Sequence, residues 1–338
     1  MNRSLHITPE GIGWADVPVP ELREPHEAIV RPVAAALCDI DLRMLAGELP
    51  IKEPAPLGHE AVAEVVAAGE ESGVQRGDVV SVSWMIACGR CDRCAADLRA
   101  SCRTVPRGAM FGMPGQPWGG LLSDLVRVPY ARSMLTLLPQ ALPPQTFVGL
   151  SCNLPIVCHA IAPHVGADLH EPVLVVAGRG GLGLYAVSMA FALGARSVDY
   201  IDAHGSGSEI AAALGARVLP APPPRTGEYA LAVVASADPA LLVAALRSLR
   251  PEGACEVVGA LRVSAELPLS EMYFRGVRLR LSRNASQESA LRAFELAALG
   301  ALEIDRIQGE ALPWESLVEG PRPTTPKPVF VRARTTHL

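Results

Sequence analysis

Four cysteines lie close together in the segment CGRCDRCAADLRASC, residues 88–102. The gaps between Cys88, Cys91, Cys94 and Cys102 are two, two and seven residues long. Four thiolates at this density can close a tetrahedral shell around Zn²⁺ and leave no open position, as in structural zinc sites. The last gap does not fit the bacterial iron–sulfur pattern, and two disulfides do not fit an intracellular chain. The segment therefore predicts a structural zinc.

A glycine-rich loop, VVAGRGGLG at residues 175–183, is the second motif with chemical meaning. Its glycines have the G-x-G-x-x-G spacing, after a strand-like apolar run and before a helix-like run. Glycines let the backbone approach a pyrophosphate, and the N-terminus of the helix offers free N–H groups to it. An acidic residue, Asp202, ends the strand predicted to follow. The predicted dinucleotide-binding residues are therefore Gly178, Gly180, Gly181, Leu182, Gly183 and Asp202.

Asp202 bears on which dinucleotide would bind. It stands nineteen residues after Gly183, at the end of the run SVDYID. A carboxylate there can accept a hydrogen bond from a ribose 2′-hydroxyl and would repel a 2′-phosphate, which favours NAD over NADP. The nearby basic residues Arg179 and His204 weaken that preference. The alternative is a nucleotide-free α/β domain in which Asp202 caps a helix.

A third set of residues could hold a catalytic metal. Cys38 lies in LCDIDLR at residues 37–43, and His59 lies in GHE at residues 58–60. A catalytic zinc takes three protein ligands and keeps one open position, and these two side chains could supply two of the three. Taken alone, each residue also has a purely structural interpretation, Cys38 as a buried core thiol and His59 as a histidine in a turn.

The composition narrows the class of protein. The chain has 338 residues, about twice the length of a typical domain, and 49% of them are hydrophobic. The formal net charge is −5, and without a Lys/Arg cluster neither nucleic acid nor an anionic membrane is an expected partner. No signal-peptide core or spanning apolar stretch is present, so we expect a cytoplasmic protein. Eight cysteines in such a chain favour metal binding or catalysis over disulfides.

The elements that would position these motifs divide the chain into two predicted domains. Short Val-rich runs broken by Gly and Pro fill the first 140 residues and indicate a β-rich, barrel-like unit. From about Pro172, apolar runs alternate with Ala/Leu-rich helical stretches, which predicts a doubly wound parallel sheet. The predicted bounds are 1–150 for the first domain, to which the strand-like tail within 300–338 returns, and 151–299 for the second. Pro-rich surface loops are predicted at 220–227 and 319–328.

The motifs and their order along the chain resemble those of the zinc-containing medium-chain dehydrogenase/reductases, the family of alcohol, polyol and threonine dehydrogenases. The resemblance covers nearly the whole chain. It is carried by C-x-x-D at 38–41, GHE at 58–60, GDVV at 77–80, the four-cysteine segment, PWGGLLSDLVRVP at 117–129 and the glycine loop. It implies an α/β protein with a GroES-like catalytic domain and a Rossmann domain, and a homodimer or homotetramer.

The resemblance also implies a ligand set for a catalytic zinc. In the family a cysteine at the position of Cys38 and the histidine of GHE bind the metal, and the third ligand is a Cys, Asp or Glu that precedes a His-Ala pair by seven residues. His159 and Ala160 place that ligand at Cys152. The family's carboxylate that orients the histidine corresponds to Asp41, and Glu60 would approach the metal during ligand exchange or act as an ordinary paired acid. Cys158 and Cys255 are predicted to be core thiols.

Three residues depart from the family pattern C-G-(S/T)-D-x-H, whose hydroxyl and histidine relay the substrate proton. This chain has Asp39, Ile40 and Arg43 there. Ile40 cannot pass a proton and Arg43 stays protonated, so the usual relay is absent. Asp39 would repel the cofactor's phosphates if it faced them, and its position four residues before Arg43 predicts an ion pair between the two.

The sequence thus predicts a zinc-dependent oxidoreductase that transfers a hydride between NAD and a secondary alcohol or ketone, bound in the cleft between the domains. One alternative is a carbonyl or iminium reductase of the same fold with a different proton source. The other is a zinc-stabilised nucleotide-binding protein without turnover. The number of zinc ions per chain distinguishes these hypotheses, because the enzyme should hold two zinc ions and the binding protein one.

Overall fold

The computed structural model describes residues 1–49, 51–221, 227–260, 264–283, 286–319 and 326–333. The strands are β1 Asn2–Thr8, β2 Gly11–Val17, β3 Ala28–Ala36, β4 Ala55–Pro56, β5 Glu60–Ala68, β6 Val79–Val82, β7 Val126–Val128, β8 Leu135–Leu137, β9 Val173–Ala177, β10 Val198–Asp202, β11 Arg217–Leu219, β12 Tyr229–Val234, β13 Leu249–Val257, β14 Arg278–Leu281, β15 Leu312–Pro313 and β16 Val329–Val331.

The α-helices are α1 Asp39–Leu45, α2 Asp92–Ala95, α3 Ala131–Met134, α4 Asn153–Ile161, α5 Leu182–Ala192, α6 Ser208–Ala213, α7 Pro239–Ser248, α8 Leu269–Arg275, α9 Gln287–Ala298 and α10 Ile304–Gln308. Short 3₁₀ helices cover Arg99–Ser101, Pro144–Ser151, Ala162–His164, Ala167–His170 and Trp314–Glu319. Most of the Pro-rich segments predicted at 220–227 and 319–328 lie outside the described residues.

The chain forms two compact units. The first comprises 1–152 with the described residues of 284–290 and 308–333, and the second comprises the described residues of 153–283 and 291–307. Each unit has its own strands and its own buried apolar core.

The first unit is built on antiparallel strands. Its larger sheet has the order β15-β16-β3-β5-β6-β8, with β7 also paired to β3, and a smaller sheet has the order β2-β1-β4. The Val- and Ala-rich strands β3 and β5 lie at the centre because both of their faces are apolar, and most of their residues are buried. The last strand of the described residues, β16, pairs antiparallel with the end of β3.

The second unit is a six-stranded sheet in which each pair of neighbouring strands is parallel, in the order β11-β10-β9-β12-β13-β14. The strand β9 is buried along its whole length, as its unbroken apolar sequence predicts. The chain crosses from one side of β9 to the other between β11 and β12, so the carboxyl end of β9 is the switch point where such sheets bind ligands.

The predicted α/β class, a β-rich unit with a doubly wound parallel sheet, is confirmed. Among the residues that the structure describes, no single helix has the length and apolar character of a membrane span. The bent pair 144–151 and 153–164 passes the same test only when its two parts are taken together.

Candidate functional site

Cys38 is held by the turn between β3 and α1. It occupies the cap position before Asp39, the first residue of α1, and is buried. Its backbone N–H donates to Asp41 Oδ2 at 2.9 Å. The third residue of the helix therefore closes the turn and fixes the direction in which the Cys38 thiol leaves the backbone.

His59 lies between a glycine turn and β5. Gly58 has a φ of +88°, and a Cβ at this position would come within 2.3 Å of Leu122 Cγ, so the turn requires glycine. His59 Nδ1 lies 3.4 Å from Asp41 Oδ1, with 2% and 0% of the two side chains exposed. This contact directs Nδ1 toward the carboxylate and leaves Nε2 for a metal, an arrangement common among metal-binding histidines.

Cys152 follows the 3₁₀ helix Pro144–Ser151 and is buried. The hydroxyl of Ser151 donates to the carbonyl of Ala61 at 2.8 Å and accepts from the Ala61 N–H at 3.0 Å. These two bonds fasten this turn to β5, two residues after His59.

The first unit brings four of the predicted residues together. One ligand atom from each of Cys38, His59, Glu60 and Cys152 lies within 4.8 Å of the other three. Two sulfurs and an imidazole nitrogen are a normal donor set for zinc, and the carboxylate of Glu60 is a potential fourth donor. The residues present therefore fit a catalytic zinc.

Lys327 belongs to the same cluster, although the sequence analysis did not single it out. Its Nζ lies 2.6 Å from Glu60 Oε2 and 3.3 Å from the carbonyl oxygen of Leu37. In the sequence, Lys327 is marked only by its position two residues before an apolar strand, which does not indicate a role in the cluster. The pairing of β16 with β3, which aligns Val329 with Ala36, is what brings this lysine beside Cys38 and Glu60.

The electrostatics of this cluster follow from its burial and its mixed charges. A hydrogen bond from Cys152 lowers the pKa of Cys38, assisted by His59 and Lys327, although burial acts against them. Burial and the neighbouring Cys38 raise the pKa of Cys152. Burial would lower the pKa of His59, but Asp41 and Cys38 outweigh it and raise that pKa. In the protein without metal, these influences make the thiol of Cys38 easier to deprotonate than that of Cys152.

The four-cysteine segment forms a second cluster in the first unit. The ligand atoms of Cys88, Cys91, Cys94 and Cys102 lie within 4.8 Å of one another, and none of the four is in a disulfide. The pairs Cys88–Cys94 and Cys91–Cys102 have sulfurs 4.0 Å apart. Zn–S bonds of about 2.3 Å in a tetrahedron place sulfurs about 3.8 Å apart, so the four residues fit a structural zinc.

Hydrogen bonds to Cys88 favour its thiolate form. Thr104 Oγ1 donates to Cys88 Sγ at 3.2 Å, and the backbone N–H of Cys91 donates to it at 3.4 Å. Although burial acts in the opposite direction, these donors bring the pKa of Cys88 down to about 6. A thiolate at neutral pH is the form that binds a metal.

The glycine loop in the second unit has the close approaches that its spacing predicts. A Cβ on Gly183 would lie 2.7 Å from the Cβ of Ala177, so only glycine lets α5 pack this closely on β9. A Cβ on Gly178 would lie 2.9 Å from the carbonyl oxygen of Ala235, and Gly180 has a φ of +85°. Gly181 caps α5 and Leu182 is its first residue.

Asp202 ends β10 and shapes the loop that follows it. Its Oδ1 accepts from the N–H of His204 at 2.8 Å, and its Oδ2 accepts from the N–H of Gly207 at 2.7 Å. Gly207 is the cap of α6. The carboxylate of Asp202 therefore caps this loop and the start of α6, which is the role expected of it in an α/β domain without a nucleotide. Each of its oxygens has a second lone pair that can accept a ribose hydroxyl.

The remaining predicted residues lie as follows. Arg43 Nε lies 3.4 Å from Glu48 Oε2, and the ion pair of Arg43 with Asp39 stays a prediction. Cys158 and Cys255 are fully buried in the second unit. Burial, reinforced by the charge of Glu256, raises the pKa of Cys255, as expected for a thiol in an apolar core.

Comparisons with known proteins identify the class. Residues 24–140 match the alcohol dehydrogenase GroES-like domain. The chain is 31% identical over 312 residues to Rv1895 of Mycobacterium tuberculosis, which carries the name of a zinc-binding alcohol dehydrogenase. This match covers 90% of this chain and 80% of that protein.

Solved structures agree with this result. The alcohol dehydrogenase TADH from Thermus sp. ATN1 superposes with a TM-score of 0.88 at 28% identity, over 98% of this chain and 100% of that one. A zinc-binding dehydrogenase from Sinorhizobium meliloti 1021, solved with NADP, has a TM-score of 0.80 at 23% identity, over 98% and 99% of the two chains, and is similar in fold.

The fold and the two cysteine-containing clusters define a zinc-type dehydrogenase. The chain belongs to the zinc-binding alcohol dehydrogenases of the medium-chain dehydrogenase/reductase family, and the resemblance found in the sequence is confirmed. It is an oxidoreductase of the zinc-binding type.

Proposed function

We propose that this protein is an NAD-linked dehydrogenase that interconverts a secondary alcohol and its ketone at a catalytic zinc. The observation that carries the proposal is the meeting of the Cys38, His59 and Cys152 ligand atoms within 4.8 Å of one another. These residues come from three distant parts of the chain. A purely structural fold has no need to gather two thiols and an imidazole at a single buried point.

The roles of the side chains follow from this arrangement. Cys38, Cys152 and Nε2 of His59 would hold the zinc, and Asp41 would keep the imidazole oriented. When bound, zinc polarises the oxygen of an alcohol or ketone and makes the alcohol more acidic. All three ligands are buried, so their own sulfur and nitrogen atoms are shielded from bulk water.

Cofactor preference is proposed from the second unit. The loop 178–183 and the N-terminus of α5 would bind the pyrophosphate, and Asp202 would accept from the ribose 2′-hydroxyl. The negative charge of Asp202 supports NAD over NADP. Assay with both nicotinamides, followed by nicotinamide absorbance, tests this preference directly.

Ile40 and Arg43 support a second candidate within the same chemistry. Because neither side chain relays a proton, a carbonyl or iminium reductase with a different proton source also fits the residues. A panel of polyols, amino alcohols, aromatic alcohols, ketones and imines, assayed in both directions, distinguishes it from an alcohol dehydrogenase.

We further propose that the protein forms a homodimer or a homotetramer. Analytical ultracentrifugation would measure its oligomeric state.

Metal analysis tests the central proposal. We expect about two zinc ions per chain in the parent protein and about one in Cys152→Ala, together with loss of turnover. Cys158→Ala is the matched control, since Cys158 is an equally buried thiol six residues further along the chain, and this variant should keep both zincs and its activity. A Cys152→Ala variant that keeps two zincs and full activity would remove Cys152 from the site.

A further inference from the structure

A cavity of about 500 Å³ lies in the first unit beside the four-cysteine cluster, with Cys88 in its wall. The other lining residues come from loops near residues 26, 70, 89 and 132. This volume lies within the range of pockets that hold small molecules, roughly 300–1,000 Å³. None of the lining residues belongs to the proposed catalytic zinc site, so the cavity needs an explanation of its own.

Contacts between the loops give this cavity a fixed shape. The backbone N–H of Ala131 donates to the His26 carbonyl at 3.0 Å. The hydroxyl of Ser133 donates to the Ala87 carbonyl at 2.8 Å, and a Cβ on Gly89 would lie only 2.7 Å from the Cβ of Ser133. The walls are therefore held together by the fold itself, as in a ligand pocket that is formed before its ligand binds.

Two stacked rings belong to the lining. The ring centroids of His26 and Tyr130 are 5.3 Å apart, and the two planes are inclined by 9°. Both residues are half-buried. An aromatic face can pack against another ring or attract an ammonium group. These two residues therefore favour a ligand that has a ring, an ammonium group or both.

Charged side chains of both signs line the same cavity. Arg90, Arg132, Glu70 and Glu71 are all exposed. In the part of the chain that the structure describes, none of the four forms an ion pair. A ligand with a single charge would be attracted by one pair and repelled by the other. A zwitterion can satisfy both pairs at once.

The surroundings of Tyr130 show the same mixture of charges. Burial raises the pKa of Tyr130, and the negative charges of Cys88 and Cys102 raise it further, whereas the positive charge of Arg90 acts to lower it. With zinc bound, the cluster would still be negative, because four thiolates carry more charge than one Zn²⁺. An ammonium group beside Tyr130 would therefore be drawn toward the cluster, and an anionic group toward Arg90.

We propose that this cavity binds a small aromatic zwitterion, of the chemical class of a free aromatic amino acid. The carboxylate of the ligand would pair with the two arginines and its ammonium with the two glutamates. Its ring would pack against the stacked pair of His26 and Tyr130. The inference does not depend on the proposed catalytic zinc.

Calorimetric titration of the zinc-loaded protein tests the class of ligand. L-Phenylalanine is compared with phenethylamine, which keeps only the ammonium, with hydrocinnamate, which keeps only the carboxylate, and with L-alanine, which lacks the ring. We expect each of the three to bind at least about tenfold more weakly than L-phenylalanine, because each has lost a charged contact or the buried ring.

Two double variants locate the site. Arg90→Gln with Arg132→Gln should weaken binding of L-phenylalanine by at least about tenfold and should not weaken binding of phenethylamine. Glu70→Gln with Glu71→Gln should weaken L-phenylalanine to a similar extent and should not weaken hydrocinnamate. If either double variant fails to fold, the single variants Arg132→Gln and Glu71→Gln decide in the same way.

Matched controls come from the second unit. Arg196→Gln and Glu209→Gln remove exposed charges there, and both variants should bind L-phenylalanine like the parent. Far-ultraviolet circular dichroism and the zinc content show whether each variant is folded. Absence of L-phenylalanine binding, equal binding of phenethylamine or hydrocinnamate, or parental affinity in the folded cavity variants would each overturn the inference.

Discussion

Asp41 connects the two proposed zinc ligands that come from the N-terminal part of the first unit. One of its oxygens accepts from the Cys38 N–H at 2.9 Å, and the other lies 3.4 Å from His59 Nδ1. A single carboxylate therefore sets both the turn that carries the thiol and the rotation of the imidazole. Because the carboxylate is fully buried, no water can take its place.

Asp41→Asn should weaken zinc binding at the proposed catalytic site of Cys38, His59 and Cys152 and leave zinc binding at the four-cysteine cluster unchanged. The amide keeps the size of the carboxylate but lacks the charge that orients the imidazole, and loss of such partners typically costs about 10–100-fold in metal affinity. Zinc counted after dialysis against a graded chelator should fall from two per chain toward one. Asp16→Asn, at an exposed position in β2, should retain both. Equal zinc retention in the two variants would contradict the role of Asp41.

Asp202→Asn should reduce the preference for NAD. The amide can still accept from one of the two backbone N–H groups that the carboxylate holds, so most of the loop should persist. Removing the negative charge also removes the repulsion of a 2′-phosphate. We expect the ratio of kcat/KM for NAD to that for NADP to fall by at least about tenfold. An unchanged ratio would mean that Asp202 caps the loop and does not discriminate between the cofactors.

At the scale of secondary structure, the loop of the four-cysteine cluster also caps a distant helix. Asp97 accepts from the backbone N–H of Gln287 at 2.7 Å and from the hydroxyl of Ser286. Arg99, which is buried in the same loop, donates to the Gln287 side chain and to the carbonyl of Ser133. The cluster therefore supports the first turn of α9 as well as its own loop.

Asp97→Ala should lower the free energy of unfolding by about 1 kcal/mol, the usual effect of losing a helix cap. Asp92→Ala is the matched control in the same segment, because Asp92 forms a surface ion pair with Arg103, and exposed pairs contribute little. Chemical denaturation in the presence of zinc measures both. Equal stabilities of the two variants would show that the contact of Asp97 with α9 carries no net energy.

Local motifs were predictable at this scale, and long-range pairings were not. The G-x-G-x-x-G spacing and the apolar run of β9 lie within a few residues, so they predict the turn between β9 and α5 without knowledge of the fold. The meeting of Cys38 with Cys152 needs the packing of the helix 144–151 against β5, and only the family resemblance pointed to it. Lys327 could not be predicted, because its position depends on the register between β16 and β3.

Considering the whole molecule, β1 and the segment that follows β16 meet at Asp124 in the first unit. Arg3 Nε in β1 lies 3.0 Å from Asp124 Oδ2, and Arg332 Nη1, just after β16, lies 3.1 Å from Oδ1. Arg332 also lies 4.2 Å above the ring of Trp314. This network ties the C-terminal segment, and with it Lys327, to the N-terminal strand.

The Asp124 network makes the stability of the protein depend on pH in a defined direction. Burial alone would raise the pKa of Asp124, but its hydrogen bond to Arg3 and the charges of Arg332 and Arg3 outweigh it and lower the pKa below its ordinary value. A carboxyl with a lowered folded-state pKa stabilises the protein above the unfolded pKa of about 3.9, and this contribution is lost as the pH falls through the folded-state value.

Asp124→Asn should therefore be less stable than the parent at pH 7, by about 1 kcal/mol for a partly exposed network. The difference should shrink as the pH falls below about 4, because the parent then loses the same charge by protonation. Urea denaturation from pH 7 downward measures it, with Glu10→Gln at the exposed turn after β1 as a control that should match the parent throughout. A difference that stays constant with pH would assign the effect of Asp124 to packing, since only a charge effect disappears on protonation.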